Sequence, residues 1–505
     1  MAARTANGSR PFAVDWNRVW PFAASVFVVC AAFLLMSYRL RVAPDVFLDE
    51  LLYFFVGKSI SQGQIMREFW VGSSRVFFWQ PPFFMLLEAP VIKFFNLAST
   101  DTLSAVYAIR YFDVAIAALT AGVLFLLVNR IGGFMAASLT SVLFALDPFV
   151  LRSARRNLLE TAVIALVAIG VLLLSRCPDG LSRRLAVAIG AIFGLVLLTK
   201  EVAFFVLALP ALFVLVGQPS QCRRLLPPLF GSALVSLFLY SLYPLWSFLS
   251  GNWPDFAAIK QLQLGRFSGI IRGGGWHRSS LSHAPSFVDA LHQNLPQYLT
   301  SYALILVGGF LGLYLLTRSR DDVGARLLGC WALVTDVFFA FILFQGALED
   351  QFFYLLLVPT AAVVGYSVSL LLKTRSIHRF LVFLPLALLL GRNVALYYSD
   401  YVMGIDNGQS QIHSFVLAHI PVGSSLDVAS EGELYLYPGY STYMIGDAKE
   451  AESHHIHYFE VSSKQAWGHY DGMTPEYYNW VTTHGKELFS VDEETSWHIG
   501  VYYLP

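Results

Sequence analysis

Residues 81–97 read PPFFMLLEAPVIKFFNL. The stretch is apolar enough to pass for a membrane span, yet it contains Glu88, Pro90 and Lys93. Whether it crosses decides the orientation of everything after it. Basic residues collect on the cytoplasmic side of membrane proteins. With 81–97 outside the bilayer and the N-terminus inside, five basic groups fall in the cytoplasm. These are Arg130; Arg176, Arg183 and Arg184; Arg223 and Arg224; Arg318, Arg320 and Arg326; and Lys373, Arg375 and Arg379. If 81–97 crosses, every one of them flips outside. The stretch therefore reads as a helix lying in the membrane interface.

Outward from it, apolar runs occupy 19–40, 106–129, 132–151, 158–175, 185–199, 202–217, 225–247, 297–316, 327–346, 352–372 and 380–397. Several fall a little short of the ~20 residues a spanning helix needs. The expectation is an all-α polytopic membrane protein with about eleven transmembrane helices. Composition agrees. Of 505 residues, 56% are hydrophobic and 13% charged, with mean hydropathy +0.58. A soluble chain has about 45–50% apolar and about 25% charged residues. The 34 basic and 34 acidic residues cancel, so no charge bias points to nucleic acid. The first run follows Arg4, Arg10 and Arg18 and has no small-residue cleavage site after it, so it reads as an uncleaved anchor. The four cysteines have neither zinc spacing nor a disulfide pattern.

Residues 1–397 then form a membrane domain with two large outer loops, 41–105 and 248–296. Residues 398–505 form a polar extracytoplasmic α/β domain. Its strand candidates are Ser425–Ser430, His455–Val461 and Trp497–Tyr503, and its helix candidates lie near 409–419 and 475–485. No internal repeat is evident, which counts against an inverted-repeat transporter. The outer loops lack N-x-[ST] sites, since Asn7-Gly-Ser lies on the inner tail, and this suits a bacterial plasma (inner) membrane.

Ionisable groups near the outer face are where function is sought. Asp49-Glu50 opens DELLYFFVGKSISQGQ, an interfacial amphipathic helix by its pattern, and an acidic pair there also caps a helix. Arg110 heads the second run. Arg152, Arg155 and Arg156 precede Glu160, and Lys200-Glu201 sits between two apolar runs. Any one of these cations could anchor lipid headgroups. Together they form a cationic zone beside an acidic pair at one depth. Such a zone suits a phosphate carried on a lipid, with Arg giving forked hydrogen bonds and Lys a point charge. A neighbouring carboxylate can deprotonate an acceptor hydroxyl. A leaving phosphate needs no strong acid, so this set suffices for displacement at a sugar carbon.

These residues resemble a known group. Asp49-Glu50 with the following LLY and Gly63, Gln80-Pro81-Pro82, Arg110, Arg155 with Glu160, Leu198-Thr199-Lys200 and Tyr354–Pro359 (YLLLVP) are similar to the motifs of GT-C glycosyltransferases. The branch is that of protein O-mannosyltransferases and aminoarabinose (lipid A) transferases. The similarity covers roughly 45–210 by motif and the remainder by layout. It implies an inverting transfer of a monosaccharide from a polyprenyl-phosphate donor to a lipid, glycan or protein acceptor. It further implies Asp49 as general base, with Glu50 holding the acceptor or the site. Arg110, Arg155, Arg156 and Lys200 would hold the donor phosphate or sugar, and Glu160 would face the cavity. Gln80, Pro81, Glu201 and His277 are further cavity candidates. No organic cofactor is implied, and the sequence leaves open a divalent ion, since a carboxylate pair can take Mg²⁺ or Mn²⁺ but no full ligand set is visible. The chain departs from the family at Gln80, where a His is common, and at Gln351-Phe352, where an Arg often precedes the aromatic. It also lacks a sugar-binding trefoil in 248–296, which weakens a protein acceptor. The competing class is a flippase or transporter of lipid-linked sugars.

Other signals point to structure. His455 and His457 read as one face of a strand, more in keeping with a solvated face than a metal site. Gly273-Gly274-Gly275 reads as a flexible loop. Asp147 reads as a cavity-lining residue, and Asp336 as a polar contact within the bundle.

Overall fold

The computed structural model describes residues 16–67, 76–177, 181–270, 287–319, 322–345, 348, 351–373, 376–430, 433–434, 436–468, 473–493 and 497–505. Its first helices are α1 (Trp16–Ser37), α2 (Leu48–Ser61), α3 (Phe83–Phe94), α4 (Thr102–Gly132), α5 (Phe134–Ala145), α6 (Pro148–Ala154), α7 (Leu159–Leu174) and α8 (Arg183–Thr199). An irregular segment follows, with 3-10 turns at Glu201–Leu207, a short α9 (Ala208–Leu212) and a π turn at Phe213–Gly217. Then come α10 (Cys222–Leu249), α11 (Trp253–Phe267), α12 (Phe287–Arg318), α13 (Val323–Gln345), α14 (Phe352–Leu372) and α15 (Ser376–Tyr397).

Each apolar run is thus helical. By length and composition alone, six helices among the described residues can cross a membrane: Val19–Ser37, Thr102–Gly132, Pro219–Leu249, Asn294–Arg318, Val323–Gln345 and Phe352–Leu372. The run 132–151 is not one straight helix. It breaks into α5 and α6, bent by 65°. Asp147 and Pro148 cause the break. The Asp147 carboxylate accepts the N–H groups of Phe149 (2.9 Å) and Val150 (3.1 Å), and Pro148 occupies the first turn, where no amide hydrogen is missed. Asp147 also accepts Ser301 Oγ at 2.9 Å, so it caps a helix and ties it to α12. At the centre, α14 is buried at every position from Phe352 to Ser369. Such all-round burial marks a helix enclosed by other helices.

The stretch 81–97 holds α3, twelve residues and so ~18 Å long, too short for a ~30 Å hydrocarbon core. Its Glu88 is fully buried against the protein. The first-loop helix α2 is not simply interfacial. One side (Leu51, Phe54, Phe55) packs with Ile412, Val416 and Leu436 of the C-terminal region. Another (Tyr53, Val56) packs with Phe78, Phe84 and Leu159. Gly57 lets α3 approach, because a Cβ there would meet Ile92 Cδ1 at 3.0 Å and Glu88 Oε2 at 3.2 Å. Gly63, at φ +76, then turns the chain off α2 in the left-handed region.

Beyond α15 the chain forms α16 (Gly408–His419), β1 (Ser425–Asp427), β2 (Ser441–Tyr443), α17 (Ala448–Ser453), β3 (Tyr458–Ser462), α18 (Ser463–Gly468), α19 (Pro475–His484), β4 (Lys486–Glu493) and β5 (Trp497–Tyr503). The sheet order is β2-β1-β3-β5-β4, parallel across β2-β1-β3 and antiparallel beyond. The expected strands and both expected helices fall within it, while β2 and β4 have no counterpart among the expected strands. The histidines do not share a strand face. His455 sits at φ +51 in the turn before β3, and His457 Nδ1 lies 3.0 Å from the Leu504 carbonyl oxygen.

Candidate active site

The acidic pair divides at the start of α2. Glu50 is fully buried. Its Oε1 accepts the Phe47 N–H (2.8 Å) and Arg110 Nη2 (2.8 Å), while its Oε2 accepts Arg110 Nε (2.8 Å) and the Asn157 N–H (2.9 Å). Both oxygens are thus spent on the protein. Asp49 is half-buried, and Tyr53 Oη lies 3.4 Å from its Oδ2. The pair therefore does not form a two-carboxylate cation site. Among the described residues no group of three or more His, Cys, Asp or Glu side chains gathers as a metal site.

The cations divide in the same way. Arg110 gives its remaining N–H groups to the carbonyls of Leu40 (3.4 Å), Pro44 (2.7 Å) and Asp45 (3.1 Å). With Glu50, all five of its donors are used. Arg155 reaches the carbonyls of Met36 (2.8 Å), Tyr38 (2.8 Å) and Ala43 (3.1 Å from Nε), and lies 4.3 Å from the Tyr401 ring centre. Burial lowers its pKa to about 10, which leaves it a cation at neutral pH. In this structure both arginines clamp the 36–45 segment through its backbone carbonyls. Arg156 is buried over the Phe47 ring (5.3 Å) and reaches the Asp45 carbonyl at 3.4 Å. Burial lowers its pKa as well, with Arg152 adding to the effect. Arg152, half-buried, contacts Gln297 Oε1 at 3.1 Å. The bend at Asp147 brings all three arginines to the end of α6.

Lys200 ends α8 and pairs with the fully buried Glu160 at the start of α7. Its ammonium lies 5.1 Å from the Phe352 ring centre. Oε2 of Glu160 has no hydrogen-bond partner in the protein among the described residues. Glu201 does not join this pair. It accepts Tyr240 Oη (2.5 Å) and Lys260 Nζ (2.5 Å), and thereby anchors α11. Gln80 presents its carbonyl to Tyr243 Oη (3.4 Å), and Pro81 is buried beside it. His277, His283 and Gly273-Gly274-Gly275 lie outside the described residues.

Sequence reasoning missed a buried polar group behind the pair. Glu88 accepts Asn157 Nδ2 at 2.6 Å, and burial raises its pKa to about 8 against the pull of that hydrogen bond. Both carboxylate oxygens of Asp113 are buried with only the Leu158 backbone amide nearby as a donor, and Oδ1 of Asn157 is buried with no protein partner among the described residues. Asp113 stands three residues after Arg110 inside an apolar run, and that intramembrane charge was the available signal.

The sequence matches the dolichyl-phosphate-mannose-protein mannosyltransferase family over residues 88–247. No curated protein matches the chain in sequence. Among solved structures, ArnT from Cupriavidus metallidurans bound to undecaprenyl phosphate is similar, with TM-score 0.57 and 17% identity over 97% of this chain and 98% of that one. The fold is that of the GT-C glycosyltransferases. The archaeal oligosaccharyltransferase AglB from Archaeoglobus fulgidus, in complex with an inhibitory peptide and a dolichol-phosphate, shares this GT-C fold. There the TM-score is 0.58, with 13% identity over 97% of this chain and 75% of that one. The stretch matched by sequence, 88–247, carries Arg110, Arg155, Glu160 and Lys200 and begins after Asp49 and Glu50.

Proposed function

We propose that this protein is an integral membrane glycosyltransferase. It moves a monosaccharide from a polyprenyl-phosphate donor to an acceptor hydroxyl on the extracytoplasmic face of a bacterial plasma membrane, with inversion. The division within the acidic pair carries this reading: Glu50 is saturated by Arg110 and backbone amides, whereas Asp49 is half-buried at the same helix start. A base must reach its substrate, so the role falls to Asp49. Its carboxylate takes the acceptor proton as the acceptor oxygen bonds to the anomeric carbon. The bond from that carbon to the phosphate oxygen breaks, and the lipid phosphate departs with the electron pair. Lys200, Glu160 and Arg156 face the donor, while Arg110 and Arg155 hold the frame behind them. The ligands named for the two GT-C structures, undecaprenyl phosphate and dolichol-phosphate, support the donor class.

The test is transfer from a panel of radiolabelled polyprenyl-phosphate sugars, with protein in lipid nanodiscs and a membrane extract as acceptor source. Wild type is expected to label a new product, and Asp49→Asn to lose transfer by roughly 10²-fold or more. Lys200→Ala is expected to raise donor KM more than acceptor KM. Full transfer by Asp49→Asn sinks the base assignment. Labelled lipid that crosses the bilayer without covalent product would instead favour a flippase.

A further inference from the structure

The C-terminal domain meets the catalytic loop through carboxyl groups that the transfer chemistry does not use. Asp45, fully buried, lies four residues before Asp49. Its Oδ1 accepts the Val46 N–H (2.8 Å) and Tyr107 Oη (3.2 Å), and its Oδ2 accepts the Gln409 N–H (2.7 Å). Its own N–H donates to Asp406 Oδ2 (3.1 Å), and the Asp406 N–H donates to the Val42 carbonyl (2.9 Å). Glu493, at the end of β4, lies against this group. Its Oε2 accepts the Gly408 N–H, while its buried Oε1 has no donor in the protein among the described residues.

Among the described residues, the cations beside the pair are shared with other carboxylates. From α4, Arg110 reaches the Asp45 carbonyl oxygen and commits its charge to Glu50. From the turn after α6, Arg156 also reaches that carbonyl. Behind Gln409 stands a further carboxyl, Glu460, which accepts Gln409 Nε2 (2.8 Å) and Tyr437 Oη (2.7 Å). Asp492, next to Glu493, pairs with His498. Two buried carboxyls side by side cannot both be charged without strong repulsion. A proton on one donates to the other and supplies the hydrogen that Glu493 Oε1 lacks.

We infer that Asp45 and Glu493 share one proton and act as positioning residues, holding the segment that carries Asp49 against the C-terminal domain. The value of that placement for transfer rests on the function proposed above; the link itself does not. Burial, with Asp45 and Asp406 alongside, pushes the Glu493 carboxyl up to about 10, and burial pushes Asp45 up to about 6. A carboxyl raised on folding stabilises fully below its unfolded value. That contribution fades as pH climbs to the folded value. The link should therefore hold at neutral pH and open toward pH about 10.

Amide hydrogen exchange over residues 42–53 in nanodiscs, at pH about 6, 8 and 10 and corrected for intrinsic rates, tests this. Wild type should lose protection at the highest pH by about tenfold or more. Glu493→Gln carries its own amide hydrogens and should keep protection throughout; Glu493→Ala should lose it at every pH. Asp45→Asn gives the same comparison from the loop side if a Glu493 variant fails to fold. Transfer, read in parallel, should hold to higher pH in Glu493→Gln than in wild type. Asp49→Asn should abolish transfer yet exchange like wild type, which separates the two claims. Wild-type exchange that ignores pH, or Glu493→Gln that follows the wild-type profile, overturns the shared proton.

Discussion

At the residue scale, neighbours in sequence do unlike work. Asp49 and Glu50 share a charge and differ by one methylene, yet only Glu50 is sealed into a bidentate pair with Arg110. Removing one partner of a buried pair strands the other charge and costs about 3–5 kcal/mol. Glu50→Ala should therefore lower the unfolding temperature and the yield of folded protein, while Asp49→Asn should leave both unchanged. Arg110→Lys should fall with Glu50→Ala, since a point charge cannot replace a five-donor fork. Differential scanning fluorimetry in detergent makes the comparison, and equal melting of Glu50→Ala and wild type would remove Glu50 from the framework. The residue types at 49, 50, 110, 155, 160 and 200 are legible in the sequence as a charged cluster. Which of them the protein itself buries and saturates is not. It depends on the Glu50–Arg110 and Arg155–Ala43 contacts, which bridge 60 and 112 positions, and no local pattern encodes such separations.

At the element scale, the 65° bend between α5 and α6 delivers Arg152, Arg155 and Arg156 to one place. A straight helix through 132–151 would carry them onward along its axis. The cap is readable in the sequence, because Asp before Pro is a helix-start signal. The apolar run on both sides hides the break. Asp147→Ala removes the acceptor for two amide hydrogens and for Ser301 Oγ. The loss of such a cap costs about 1–2 kcal/mol. Because the arginines hang from α6, Asp147→Ala should also reduce transfer. Asp147→Asn, which keeps an acceptor oxygen, should recover most of it. If Asn and Ala behave alike in both melting and transfer, the cap is not what sets the arginines. The helix α2 teaches a related lesson. Its amphipathic pattern is legible, but its second buried side is not, since the partners Ile412, Val416 and Leu436 lie more than three hundred residues away.

At the scale of the whole molecule, the membrane core and the C-terminal sheet answer to different solvents. Apolar burial stabilises the helices around α14. The C-terminal sheet holds carboxyl groups in its interior, and these make its stability a function of pH. Asp427 on β1 accepts Tyr477 Oη (2.6 Å) and the Ile445 N–H (2.8 Å), and burial outweighs these bonds to push its pKa up to about 7. Burial likewise pushes Glu460 on β3 up to about 7, against the hydrogen bonds from Tyr437 and Gln409. Both values lie above those of an unfolded chain, near 4. The folded sheet thus binds protons more tightly than the unfolded one. Its added stability is complete below pH about 4 and is lost as pH rises through about 7, on the order of a few kcal/mol in all. Amide exchange in β1, β3 and α19 should therefore quicken from pH about 5 to about 8 after intrinsic correction, while exchange in α14 stays constant. Asp427→Asn should remove its own share of that slope. Exchange in the sheet that is flat across this range, or that quickens equally in α14, would mean that the buried carboxyls do not govern the domain and that the two halves open as one.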